Sequence, residues 1–358
     1  MKKVMFKIYF RQNLGDDLFA YIFLKRYKNN FYVCTEKSYL PLNTFNNIKF
    51  RTNHFKIFIN KIIRKIFRIE EYLDIVEKKK YDILLYVGGS LFIQNQRQNL
   101  NFWKKNAQKY SKNYIPYYIL GSNIGPYKND EFVNILKRNI FLKAEDVCFR
   151  DKNSYDLCKN LPNIRMASDI VFSLDIGKVK ITNNKKVVIS VMEVREEYRE
   201  EYKGKIIDFI KFFFKRGYKI TLMSYCKAEG DEIAIKSILD KLDMENIKEE
   251  IRVYFYRGNI EEALNIMGDC RVIIGTRFHA NILGLLMNKT IIPIAYSDKT
   301  INVLNDINFK GKIFDVRNFD NVQELTDDDL EYKLDISYQI LDAERQFQEL
   351  DKVLEKSN

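Results

Sequence analysis

The stretch that most restricts how this chain can fold is Arg271–Tyr296, RVIIGTRFHANILGLLMNKTIIPIAY. Val272–Ile274 is a short, continuous apolar run, the pattern of a strand buried on both faces. Gly275 and Thr276 interrupt it. Apolar residues then return at helical spacing (Ile282, Leu283, Leu285, Leu286), and a second buried run, Ile291–Ile294, follows a short polar turn. Strand, turn, helix and strand in that order make a βαβ unit, whose two strands are parallel. Open α/β sheets bind ligands just beyond the carboxyl ends of their strands. Arg277 and His279 fall at such an end, and His279 is one of only two histidines in the chain. The same residue types also suit a plain helix start with a solvated arginine and a packed histidine.

The alternation extends over the whole chain. Val4–Phe10 predicts a first strand, and Asn13, Gly15 and Asp16 a turn into a helix, with Asp16 as N-cap. That turn suits a ligand or simple capping. Phe31–Thr35 and Tyr81–Val87 predict strands, the latter ended by Gly88-Gly89-Ser90, where Ser90 can donate a hydrogen bond or cap a following helix. Tyr117–Leu120 is ended by the segment Gly121–Pro126, containing Asn123 and Gly125. A helix over Asp130–Leu142 and a strand over Asp146–Phe149 lead to Arg150-Asp151, and Ser168-Asp169 then precedes Ile170–Leu174. The polar run Gly177–Lys186 reads as a linker. Beyond it come strands at Val187–Val191, Ile220–Met223, Val253–Tyr256 and Ile313–Val316, separated by helices at Ile206–Phe214, Glu232–Leu242 and Ile260–Met267. Leu325–Lys356 carries apolar residues at helical spacing and predicts one long charged helix. The expected domains are 1–176, 185–324 and a C-terminal helical segment 325–358. The expected fold class is α/β, with two Rossmann-like parallel-sheet domains facing a cleft, GT-B-like.

Composition closes off other classes. With 46% apolar and 14% aromatic residues, the 358-residue chain has ample material for two cores. Five scattered cysteines without a C-x-x-C pair, beside two histidines, argue against zinc and for buried thiols in a reducing compartment. The N-terminal MKKVMFKIYF lacks the long uncharged core of a signal peptide, and no run of 18 apolar residues predicts a membrane span. The formal charge of +12 favours an acidic partner: a phosphorylated substrate, an anionic membrane surface or nucleic acid. The basic residues cluster in Arg51–Ile69, whose apolar stripe predicts an amphipathic helix that packs on the core or lies on an anionic membrane. Without a compact basic-aromatic platform, nucleic acid is not expected as a partner.

Taken together, Asn13-Leu14-Gly15-Asp16, Gly88-Gly89-Ser90, Gly121–Pro126, Arg150-Asp151 with Ser154, Ser168-Asp169, Arg277-Phe278-His279-Ala280, Pro293 and Tyr296-x-x-Lys299 resemble the polysaccharide pyruvyl transferase family, in its order. The chain departs from the pattern at Val87, where a third glycine is usual, and at Met192, where an arginine is frequent. The resemblance implies transfer of pyruvate from phosphoenolpyruvate onto two hydroxyls of one sugar, as a cyclic ketal. Phosphoenolpyruvate carries a carboxylate and a phosphate, so guanidinium forks are expected to hold it. Arg277 and Arg150, one in each domain, are the candidates, joined by Phe278, His279 and Lys299. His279 is the candidate proton carrier or phosphate ligand, and Asp16 the candidate that orients or deprotonates the acceptor. Asn13, Gly15, Asp16, Gly88, Gly89, Ser90, Gly121, Asn123 and Gly125 are expected on the acceptor side. No metal or cofactor is called for. The implied acceptor is a saccharide, free or linked to undecaprenyl diphosphate, met in the cytoplasm or at the inner face of the membrane through residues 51–69. A GT-B glycosyltransferase that uses a nucleotide sugar is the alternative the same fold would serve.

Overall fold

A computed structural model describes residues 1–34, 42, 44–51, 81–95, 99–111, 115–242, 245–319 and 324–357. The chain divides into two compact units. The first comprises Met1–Phe10, Phe19–Ile170 and Asp342–Asn358; the second comprises Arg11–Leu18 and Val171–Leu341.

In the first unit the order of elements is β1 (Lys3–Lys7), α1 (Leu14–Arg26, whose first turn groups with the second unit), β2 (Asn30–Cys34), β3 (Ile48–Arg51), β4 (Ile83–Val87), α2 (Leu100–Ser111), β5 (Tyr117–Ser122), α3 (Asp130–Asn139), β6 (Asp146–Phe149), α4 (Lys152–Cys158) and β7 (Ile164–Met166). The strands form one parallel sheet in the order β3-β2-β1-β4-β5-β6-β7. All five residues of β4 are buried, as expected for a central parallel strand covered on both faces. Asn129 and Asp151 cap α3 and α4 by accepting from Phe132 N (3.2 Å) and Ser154 N (2.9 Å). Residues 52–69 of the anticipated basic helix lie outside the described residues; Arg51 is the last residue of β3.

The second unit contains β8 (Lys186–Val191), α5 (Arg199–Lys215), β9 (Lys219–Ser224), α6 (Asp231–Lys241), α7 (Glu245–Glu250), β10 (Ile251–Phe255), α8 (Ile260–Gly268), β11 (Val272–Gly275), α9 (Phe278–Leu286), β12 (Thr290–Ala295), α10 (Asp298–Asp306), β13 (Phe314–Asp315) and α11 (Ser337–Ala343, which ends in the first unit). Its parallel sheet runs β10-β9-β8-β11-β12-β13. In both sheets the order reverses beside the first strand, between β1 and β4 and between β8 and β11. These are the topological switch points at which Rossmann-like sheets open a crevice. The fold is α/β, with two parallel sheets of this type.

Three local expectations fail for identifiable reasons. The long helix over Leu325–Lys356 is instead a set of short pieces: 3-10 turns at Asp328–Leu330, Glu344–Phe347 and Leu350–Lys352, and the two-turn α11. Asp329 accepts from Thr326 N (2.7 Å) and Asp335 from Ser337 N (2.9 Å), side-chain bonds that compete with helix continuation. Helix α1 starts at Leu14, so Asp16 lies inside its first turn; Asn13 Oδ1 accepts from Gly15 N (3.1 Å) and takes the capping place. Ser90 caps no helix. It is exposed, and the described residues that follow it, 91–95, form a bend and an isolated bridge from Phe92 to Ile124.

Candidate active site

At the second switch point, β11 ends at Gly275 beside Ser190 of β8. Buried Tyr202 ties the two strand ends together: its hydroxyl meets Thr276 Oγ1 (2.9 Å) and accepts from Met192 N (3.2 Å). Arg277 N donates to Ser190 Oγ (3.2 Å), fixing the residue that precedes α9. Helix α9 opens without a side-chain cap, so its first turn directs a partial positive charge outward.

The Arg277 side chain is only 8% exposed. Its Nε donates to Asp231 Oδ2 (3.2 Å), Nη2 pairs with the other oxygen of Asp231, and Nη1 pairs with Glu229. Asp231 is fully buried and also accepts from Tyr225 N (2.8 Å) and Cys226 N (2.9 Å). Burial leaves its carboxyl above the ordinary value, although Arg277 and these amides pull the other way. Glu229 differs. Its side chain is 35% exposed, and although burial pushes the carboxyl up, Arg277, Asn13 and Lys299 bring it below the ordinary value. Burial alone would weaken the Arg277 charge, but the two carboxylates raise it further above its already high value.

The segment Arg11–Leu18 completes this cluster. Leu14 N donates to Tyr225 O (3.1 Å), and Asn13 Nδ2 donates to Glu229 Oε1 (3.3 Å). Gly15 is buried against His279, and a Cβ there would lie 1.9 Å from the imidazole Nδ1. Glycine at this position is therefore what lets the helix backbone back the half-buried histidine. Lys299, in α10, places its ammonium 5.3 Å from the centre of the Phe278 ring. The structure thus gathers Asn13, Gly15, Arg277, Phe278, His279 and Lys299 in one unit, whereas Asn13 and Gly15 were expected on the acceptor side. Asp16, half-buried, is on the same first turn of α1.

A second cluster lies in the first unit. Arg150, which follows β6, donates from Nη1 to fully buried Asp169 (2.7 Å) and from Nη2 to Asn123 Oδ1 (3.0 Å). Gly89 presses on the same guanidinium, where a Cβ would sit 1.9 Å from Nη2, and its carbonyl accepts from Asn123 N (3.0 Å). Ser154 Oγ accepts from Ile124 N (2.8 Å) and donates to Asp151. Gly121 N donates to Gln346 Oε1 (3.0 Å), while Gln346 Nε2 donates to Ala167 O (2.9 Å). Asn123 therefore links the glycine turns after β4 and β5 to Arg150 after β6, and Arg150 in turn holds Asp169 after β7. Gly88 and Gly125 lie in these turns with left-handed backbone, and Ser90 at the surface.

Glu229, Asp231 and Gln346 were missed in the sequence. The signal for the first two is the acid-flanked glycine in AEGDE after β9, a strand-to-helix turn. Gln346 leaves no such signal. Burial pushes the thiols of Cys148, Cys158, Cys226 and Cys270 up to about 12, so none is a nucleophile near neutrality. Among the described residues, no group of three or more His, Cys, Asp or Glu converges to hold a metal ion, and no helix is long and apolar enough to cross a membrane. Two cavities of about 450 and 470 Å³ lie in the second unit, and neither is lined by the cluster residues.

Two Rossmann-like parallel sheets define a fold class that solved structures share. The chain superimposes on S. aureus MnaA with UDP (TM-score 0.55, 11% identity, 98% of this chain and 90% of that one). It also superimposes on Anabaena Alr3699/HepE with UDP and glucose (TM-score 0.52, 11% identity, 88% and 85%). At these identities the likeness is one of fold. The family model for polysaccharide pyruvyl transferase matches residues 13–298, and the chain belongs to that family. It is 23% identical over 270 residues to the amylovoran biosynthesis protein AmsJ of Erwinia amylovora, covering 67% of this chain and 62% of AmsJ.

Proposed function

We propose that this protein transfers pyruvate from phosphoenolpyruvate onto two hydroxyls of one sugar of a cell-surface polysaccharide or its precursor, forming a ketal. The observation that carries the reading is the Arg277–His279 turn at a switch point, inside the matched family region and backed by Gly15 and Lys299. Phosphoenolpyruvate is a small polyanion. The uncapped start of α9, with Arg277 and Lys299, offers it amides and cations. Glu229, the more exposed partner of Arg277, is the group an incoming anion would replace, while Asp231 keeps the guanidinium in place. His279 protonates the methylene carbon, which makes C2 electrophilic, and Asp16 orients an attacking hydroxyl. We assign Arg150 to shaping the Gly89–Asn123 turns on the acceptor side, because both of its terminal nitrogens are engaged there.

Phosphoenolpyruvate should raise the melting temperature, and nucleoside diphosphates should not. Incubation with phosphoenolpyruvate and extracted saccharides should release phosphate and add a pyruvate ketal, and His279→Asn should lower that rate by about 10²–10⁴-fold. Stabilisation by UDP alone would point instead to a nucleotide-sugar glycosyltransferase.

A further inference from the structure

Tyr296 has no task in this scheme, although it stands beside the cluster. It directly follows β12, which runs parallel to β11 with Pro293 opposite Gly275. It therefore leaves the sheet at the same edge as Arg277, one strand over. Its half-buried ring packs on the apolar core of the second unit. The Lys299 ammonium, 5.3 Å from the centre of the Phe278 ring, is 5.6 Å from that of Tyr296. One cation is thus within reach of rings that come from the two strand ends. The charged groups that face the phenol are Lys299 from α10, Arg277 from the turn before α9, and Glu229 from the turn after β9. Burial pushes the phenol up, but Lys299 and Arg277 outweigh burial and Glu229 together, and the group ionises below the ordinary tyrosine value.

Ketal formation makes two C–O bonds to C2 and breaks the C2–C3 π bond and the C2–O bond to phosphate. Two hydroxyl protons are displaced; one ends on C3, giving the methyl group, and the other leaves with phosphate. We propose that Tyr296 is the second proton-transfer residue of this site, taking the proton of the first attacking hydroxyl and passing it to the departing phosphate. His279 gives its proton to C3 and regains one from the second hydroxyl, so both residues return to their starting states. The inference rests on the function proposed above.

Tyrosinate absorbance, followed as pH is raised, tests the ionisation without any substrate. The difference between wild type and Tyr296→Phe should show one step below about pH 10, moving upward in Lys299→Met. A step at or above the ordinary value overturns the proposal. In turnover, Tyr296→Phe should lower kcat by about 100-fold and remove the acid-side limb of its pH profile, and Lys299→Met should shift that limb to higher pH. An unchanged profile in Tyr296→Phe overturns the role as well. If wild type shows the low step yet transfers no pyruvate, the proposed function falls and the role falls with it, while the low ionisation stands.

Discussion

Arg150 and Arg277 each follow a buried parallel strand, and each is paired with a fully buried aspartate. Their other partners differ. Arg150 holds Asn123 beneath Gly89 in a closed knot, with its side chain 1% exposed. Arg277 holds Glu229, which is open to solvent and shared with Asn13. The same residue type is therefore enclosed by buried partners in one unit and paired with a solvent-accessible carboxylate in the other, the arrangement that the proposed anion exchange at Arg277 requires.

The sharpest way to break this contrast is to remove the tie. Arg150→Ala removes the cation paired with buried Asp169 and should destabilise the protein by about 3–5 kcal/mol in denaturant unfolding. A loss below about 1 kcal/mol would mean that the knot is not structural. The next largest effect separates the two glycines. Gly15→Ala must push His279 aside and should lower turnover by about 100-fold, the order of penalty for misplacing a reacting group. Gly89→Ala should be felt mainly in stability, by about 1–3 kcal/mol, because it displaces Arg150.

Smaller effects sharpen the comparison at Glu229. Glu229→Gln keeps the shape but removes the competing anion, so calorimetry should find phosphoenolpyruvate bound about five-fold more tightly, a change under about 1 kcal/mol. The smallest effect is in pH. The folded Glu229 carboxyl titrates below its unfolded value, so its stabilisation is complete above about pH 4.3 and fades as pH falls through the folded value. Wild type should lose under about 1 kcal/mol relative to Glu229→Gln on acidification, since solvent screens the pair.

Much of this was legible in the chain. The buried runs and their glycine stops mark the central strands, because a parallel strand covered on both faces must be apolar throughout. The edge strands β3 and β7 were not read; four and three residues long, they carry little pattern. Arg277 and His279 could be found from their place after a strand. The acid-flanked glycine of AEGDE marks Glu229 and Asp231 as a strand-end turn, but not as partners of Arg277, since they lie 48 and 46 residues away and meet it only once β9 and β11 share a sheet. Nor does the sequence show that the turn around Asn13 and Gly15 builds the same cluster as His279.

That last arrangement bears on how such a gene can change. The first unit begins the chain, yields Arg11–Leu18 to the second unit, resumes, and is completed by Asp342–Asn358. A recombination event between the codons for Ile170 and Val171 would not exchange one whole module for another. The transplanted second half would arrive without the glycine that backs its histidine and without the asparagine that shares its glutamate. The two halves must therefore be inherited as a pair, and substitutions in the codons for Asn13 and Gly15 answer to selection on residues more than two hundred positions downstream.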